Sequence, residues 1–387
     1  MIPQMAGGGA ERVLGILADA AAERGYNTTL MLTSQRVKEA VGYKLRPEVE
    51  LTSLIEMESS PAIKEKCRYF FQKQYSRLFG TLLEKLKMKV PDHIAHATFI
   101  AQYSNKVKAL REYLLKNPEA EIITFCQPAV NIALLAADGL PNRVILSERL
   151  DPARYSHNRY MPYFVKKWYP TAKHIVFQSE GAQSWFDESI KAKSSVIFNP
   201  LKPGLPEPSV GERSKTIVTF CRITSQKNLP LLVDAFAAVS ERHPEYSLRI
   251  YGEGESKAEL VAYIQKIGLE NKIHLLPFDP SLHEKIKASA MYVNSSDYEG
   301  MSNAMLEAMA IGLPVVCTDC PAGGARAIIK DHENGLLTPV GDMEALAAAM
   351  LEIIENPGLA DKLSRNAVKL REELSVDKIV EKWMELL

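Results

Sequence analysis

The chain has 387 residues, more than one ordinary hydrophobic core organises, so two domains are expected. Hydrophobic residues make up 46%, which excludes wholesale disorder, and no apolar run reaches the length of a membrane span. The 47 basic and 47 acidic residues cancel, but residues 1–200 carry 27 basic against 20 acidic and the remainder 20 against 27, an asymmetry that points to an anionic partner for the first half.

The chain opens "MIPQMAGGGAERVLGILADAAAERGY", a glycine loop feeding a helix whose Val13, Ile16, Leu17, Ala20 and Ala21 share one apolar face. Gly7, Gly8 and Gly9 can bring bare backbone N–H groups close to a phosphate, although a tight turn with no ligand has the same sequence. Such a loop normally follows a buried strand, and only Met1 and Ile2 stand in that position, so the reading frame is expected to continue upstream with apolar residues. Nothing at this end resembles a signal peptide, which sets the expectation of a cytoplasmic protein. The five scattered cysteines suit reduced thiols better than a disulfide framework.

Thr28–Leu32 reads as the first strand. Residues 62–89 follow with eight basic side chains against two acidic, interleaved with Tyr69, Phe70, Phe71, Tyr75 and Phe79. That is a basic amphipathic region, suited either to an anionic membrane surface on the inner face of the cell membrane or to packing on its own domain. His93 and His96 lie three apart on an expected helix but lack a third metal ligand, and surface histidines are the expectation. Ile122–Phe125, Val144–Ser147 and His174–Gln178 read as further strands. "NPLKPGLPEPSVGERSK", residues 199–215, has four prolines and two glycines and reads as the linker. The first domain is therefore 1–198.

Thr216–Phe220, Ser247–Tyr251, Lys272–Leu275, Met291–Asn294 and Pro314–Thr318 read as strands alternating with helices, the signature of a doubly wound parallel sheet in a second domain, 216–372. Arg222 and Lys227 flank a polar loop at the carboxyl end of the first of these strands, where open α/β sheets bind ligands. A diphosphate would be neutralised there; two solvated surface cations would look the same. In "DYEGMSNAMLEAMAIGLP", Ser302 or Asn303 can cap a helix that stops at Gly312. Glu299 then sits on the loop before the helix and Glu307 inside it. Each carboxylate can accept from paired sugar hydroxyls, while the N–H groups of Gly300, Met301, Ser302 and Asn303 would hold a phosphate between them. A dipole-favoured glutamate plus an unrelated surface glutamate would give the same spacing. "CTDC", Cys317 to Cys320, has no second pair and no thioredoxin-like context, so a structural role is expected.

Taken in order, Arg222, Lys227, "YGEGE" at 251–255, the E-x(7)-E of Glu299 and Glu307, "GLPVV" and "NGLLTPVGD" at 334–342 resemble glycosyltransferase family 4, the group 1 retaining enzymes of the GT-B fold. The resemblance covers nearly all of the second half. In the first half it rests on "GGGAERV", "SERLDP" at 147–152 and "FQSEGAQ" at 177–183. It implies two doubly wound Rossmann-like α/β domains facing across a cleft, with a final helix, residues 373–387, crossing back to the first. It implies that Arg222 and Lys227 hold the diphosphate of a nucleotide sugar, that Glu307 binds the ribose and Glu299 the donor sugar, and that the Gly7–Gly9 loop closes over the phosphates.

The function so implied is retaining transfer of a hexosyl or N-acetylhexosaminyl group to a glycan, with a lipid-linked glycan the expected acceptor, in surface polysaccharide biosynthesis. One departure concerns the acceptor side. Many family members carry a His or Asp after a strand of the first domain, where "ITFCQPAVN" offers Gln127 and Asn131. Glu148 and Arg149 are the nearest charged candidates. Lacking a dedicated nucleophile, the chain fits same-face attack with the diphosphate accepting the proton. No D-x-D occurs, and no metal, cofactor or nucleic acid is expected. Two other readings stay open: a transferase on a small soluble acceptor, and a non-catalytic nucleotide-sugar-binding protein. A dinucleotide enzyme is disfavoured because the glycines do not form G-x-G-x-x-G.

Overall fold

The computed structural model describes residues 1–40, 43–57, 91–157 and 161–387. The basic stretch at 62–89, on which membrane contact was expected, lies wholly outside them. Among the described residues no helix is long and apolar enough to cross a membrane. The chain divides into two compact units: Met1–Gln178 with Gln183–Ile197 and Val380–Leu387, and Ser179–Ala182 with Phe198–Ile379.

In the first unit, β1 (Thr28–Leu32) pairs in parallel with β2 (Val49–Ser53), and β3 (Ile122–Phe125), β4 (Val144–Ser147), β5 (His174–Phe177) and β6 (Ser194–Val196) form a four-stranded parallel sheet in that order. Met1–Pro3 bridges the two sheets. Ile2 N–H donates to Met31 O at 3.1 Å, and Phe125 N–H donates to Met1 O at 2.9 Å. A cavity of about 410 Å³ lies beside this bridge, lined by Leu17, Ala21, Leu30, Leu114, Ile122 and Met384 among others. It sits at the amino ends of β1 and β3, away from the edge at which such sheets bind ligands.

The second unit is a six-stranded parallel sheet, ordered β12–β11–β10–β7–β8–β9. Its strands are β7 (Ser214–Phe220), β8 (Ser247–Tyr251), β9 (Ile273–Leu276), β10 (Ser289–Asn294), β11 (Val315–Thr318) and β12 (Leu336–Thr338). Every residue of β10 and β11 is buried. That is why these strands read as unbroken apolar runs and not as alternation: helices cover both faces of the sheet. The Leu229–Arg242 helix buries Leu229, Leu232, Val233, Phe236 and Val239, a 3–4 spacing that turns one stripe to the sheet. Each large apolar side chain buried in this way contributes roughly 1.5–3 kcal/mol.

The sheet order places the carboxyl ends of β7 and β10 side by side. The loops that follow these two strands meet because of that adjacency.

Candidate functional site

The loop after β7 and the loop after β10 are stitched together by side chains some 70 positions apart. Asn228, in a left-handed conformation (φ 41°), donates through its side-chain amide to Asp297 Oδ1 at 2.7 Å. Gln226 donates to Tyr298 O at 2.8 Å, Asp297 N–H donates to Gln226 O at 3.0 Å, and Ser295 Oγ donates to Lys227 O at 2.9 Å. The consequence is that Lys227 and Glu299 meet as an ion pair, each side chain about 15% exposed. Ser296 Oγ–H, shared with Asn294 Oδ1 at 2.6 Å, also reaches Glu299 Oε1 at 3.1 Å, the same oxygen that meets Lys227. Arg222 stands on the same loop and is exposed.

Glu299 leads directly into the Asn303–Ala310 helix. Ser302 is its N-cap, its hydroxyl accepting from Met305 N–H at 3.3 Å. Gly312, at φ 77°, ends it, and Leu313 N–H returns to Ala308 O at 3.0 Å. Gly300, Met301 and Ser302 are buried at the start of the helix, at its positive end. Glu307 is not a surface glutamate: it is 4% exposed, and its Oε2 lies 2.7 Å from Nε2 of His283, itself 8% exposed. The second turn of the helix thus carries a buried carboxylate whose partner the sequence did not flag.

Two neighbouring loops support this arrangement by close backbone approach. A Cβ on Gly252 would lie 1.9 Å from Cys221 O, and one on Gly254 would lie 2.1 Å from Ile223 O. These glycines of "YGEGE" let the β8 loop lie against the loop that carries Arg222 and Lys227. On the other side, Thr318 Oγ1 and Cys320 Sγ both donate to Ser296 O, at 2.7 and 3.2 Å. That is the work of one cysteine of the C-x-x-C.

The first unit holds its own polar cluster. Gly8 N–H and Ala6 N–H donate to Glu11 Oε2 at 2.8 and 2.5 Å, so the Gly7–Gly9 turn is closed by a carboxylate three residues on. Gly7, at φ 88°, makes the turn. Glu148 and Arg149 follow β4 and are both buried. Tyr155 and Tyr169 hydroxyls donate to the Glu148 carboxylate, and Gln127 donates to Tyr169 Oη at 3.1 Å. The Arg149 guanidinium lies 3.7 Å above the Phe125 ring centroid and 5.7 Å from that of Trp383, whose helix closes the chain. Burial presses Arg149 down to about 9, so it stays charged at neutral pH. Of the two early histidines, His96 stacks on Trp168 and meets Tyr163 Oη at 3.1 Å.

Burial pushes the Glu148 carboxyl from its ordinary value near 4.5 up to about 7, against the opposing pull of the Tyr169 hydrogen bond and the Arg149 charge. Between those two values the folded chain holds a proton that the unfolded chain has released. Stability from this group is therefore full below pH 4.5 and is lost as pH rises through 7, by on the order of 3 kcal/mol. Glu148→Gln cannot titrate. Relative to wild type, it should gain stability from pH 5 to pH 8, read from urea midpoints by circular dichroism. Parallel pH profiles for the two proteins would refute a proton held at Glu148.

A parallel sheet with helices on both faces in the second unit, joined to a smaller set of parallel strands in the first, is the GT-B architecture. The crystal structure of Anabaena Alr3699/HepE in complex with UDP superposes on it with a TM-score of 0.70, covering 99% of this chain and 98% of that one at 19% identity. Residues 206–370 match the family model of the glycosyl transferases group 1, and this part of the chain is a group 1 glycosyl transferase domain.

Among curated relatives, exopolysaccharide phosphotransferase SCO2592 of Streptomyces coelicolor is 30% identical over 279 residues, 70% of this chain and 29% of that protein. The N-acetylgalactosamine-N,N'-diacetylbacillosaminyl-diphospho-undecaprenol 4-alpha-N-acetylgalactosaminyltransferase of Campylobacter jejuni is 28% identical over 257 residues, 62% of this chain and 68% of that one. The chain spans less than two thirds of the length of several curated relatives it matches.

Proposed function

We propose that the protein is a retaining glycosyltransferase of family 4. It would move a sugar from a nucleoside diphosphate donor to a hydroxyl of a glycan, a lipid-linked one in surface polysaccharide assembly. The observation that carries this reading is the Lys227–Glu299 pair set at the N-terminus of the Asn303–Ala310 helix, with Glu307 buried one turn in. An ammonium and a helix N-terminus suit the two negative charges of a diphosphate. The carboxylates on either side suit hydroxyl-rich groups, the donor sugar at Glu299 and the ribose at Glu307. The UDP in the Anabaena structure and the diphospho-undecaprenol in the Campylobacter enzyme's name agree with such a donor and such an acceptor.

In the reaction, the bond from the anomeric carbon to the diphosphate oxygen breaks as the acceptor hydroxyl attacks from the same face. The departing diphosphate takes the hydroxyl proton. Charge grows on the diphosphate as the bond lengthens, so Lys227, Arg222 and the amides of Gly300–Asn303 stabilise the transition state more than the ground state.

The test is a donor screen. The protein is mixed with UDP-, GDP- and ADP-linked sugars and a host membrane extract, and released nucleoside diphosphate is measured. Release from one donor, dependent on the extract and abolished in Glu299→Ala, is the expected result. Release that persists with a soluble sugar and no extract would replace the lipid-linked acceptor by a small one. Donor binding with no release under any condition would make this a binding protein.

A further inference from the structure

His283 sits in a five-residue helix, Leu282–Ile286, that begins at an Asp279 turn: Asp279 Oδ1 accepts from the backbone N–H and the hydroxyl of Ser281, at 2.8 and 2.7 Å. Leu282 and Ile286, 3% and 1% exposed, anchor the helix in the unit. The imidazole is held as well. It meets the Phe220 ring edge-on, with centroids 5.5 Å apart and planes at 84°, and Phe220 packs on Tyr292. Phe220 is the last residue of β7 and Tyr292 lies inside β10, so the ring is oriented by the two central strands. Its Nε2 is then aimed at Glu307 Oε2, 2.7 Å away, where both side chains are buried.

A glutamate has three side-chain torsions, and ordering it when a ligand arrives opposes binding. A carboxylate already tied at one oxygen presents a fixed plane. Each oxygen has two lone pairs, so the oxygen that holds His283 can still accept a hydroxyl. The two hydroxyls of a ribose need that plane in one orientation.

We propose that His283 is a positioning residue for Glu307 and that, through it, the protein distinguishes ribonucleotide from 2′-deoxyribonucleotide donors. The proposal rests on the nucleotide-sugar reading above. It assigns His283 no contact with the ligand.

The experiment is calorimetric titration with UDP, ADP and GDP, each beside its 2′-deoxy counterpart. Wild type should bind one ribonucleotide roughly 10- to 100-fold more tightly than its deoxy form, the range expected for a hydrogen bond to a charged group. His283→Leu should cut that ratio to within about threefold, mainly by weakening the ribonucleotide, and His283→Gln, which restores a donor, should recover part of it. His283→Leu added to Glu307→Gln should change the ratio no further, because the two act as one unit. A purely structural histidine would weaken both nucleotides equally and leave the ratio unchanged, and that result overturns the proposal. So does a folded wild type that binds ribo- and deoxyribonucleotide alike. If wild type binds none of the six, the nucleotide-sugar reading falls and this proposal falls with it. Should His283→Leu fail to fold, His283→Asn, too short to reach Oε2, takes its place in the same comparison.

Discussion

Lys227→Met is expected to lower turnover by about 10²- to 10³-fold, the usual effect of removing one preorganised group from a site of developing negative charge. The same substitution should also destabilise the fold. Glu299 is mostly buried, and its carboxylate would keep the Ser296 hydrogen bond while losing its counter-charge. Removing one partner of a fully buried pair costs about 3–5 kcal/mol, and the residual exposure here brings the expected loss down to about 1–3 kcal/mol. The two effects separate in the double variant. Lys227→Met with Glu299→Gln removes both charges, so stability should return toward wild type while turnover stays low. Steady-state release of nucleoside diphosphate and urea midpoints on wild type, Lys227→Met, Glu299→Gln and the double variant give both readouts. If Lys227→Met turns over within threefold of wild type, the lysine does not neutralise a leaving diphosphate, and its pair with Glu299 is structural.

The strands most legible in the sequence are β10 and β11, inside the sheet with helices on both faces, although the edge strands β1, β3 and β9 were read as well. Met291–Asn294 and Pro314–Thr318 are apolar without interruption because their environment is, and they match β10 and β11 to within two residues at either end. The strands that escaped notice are β2, β6 and β12, at or near sheet edges. Ser194–Val196 is half-buried throughout, and Val49–Ser53 carries an exposed Glu50, so neither has a pattern that differs from a loop. They become strands by pairing with β5 and β1, and pairing is not a local property.

The site divides along the same line. The eight-residue spacing of Glu299 and Glu307 lies within one loop and helix and was legible. The links between Asn228 and Asp297, between Lys227 and Glu299, and between His283 and Glu307 join separate loops. The first two exist because β7 neighbours β10 in the sheet; the third joins two short helices, and nothing near His283 in the chain announces a carboxylate 24 positions away. The role of Glu11 is a contrast: it is three residues from Gly8, a spacing that a capping pattern could have exposed. Glycines show the limit most plainly. "YGEGE" served only as one marker of the resemblance, whereas Gly252 and Gly254 are there because two carbonyls pass within 2.1 Å of where a Cβ would stand.

Gly324→Ala should be among the most damaging small substitutions in the second unit. A Cβ at that position would lie 1.7 Å from Gly300 O, 2.8 Å from Gly300 C and 3.1 Å from Met301 Cα. All three are backbone atoms, so no side chain can swing aside. The loop after β11 must withdraw, or Gly300 must move and carry the start of the Asn303–Ala310 helix with it. Overpacking of this kind costs about 1–3 kcal/mol and sometimes more. Because Gly300–Asn303 are the amides proposed to hold the diphosphate, the donor KM should rise at least tenfold as well, a loss of about 1.4 kcal/mol or more. Gly341→Ala supplies the control. Gly341 has φ 76° and nothing within 4 Å of an added Cβ. It should lose about 1–2 kcal/mol from the left-handed conformation alone, with donor KM unchanged. Melting curves and donor titrations on both variants decide the matter. Equal stability loss with KM raised only in Gly324→Ala would show that the loop after β11 sets the geometry of the phosphate-binding turn. A Gly324→Ala protein as stable and as active as wild type would mean that the two loops do not touch as described.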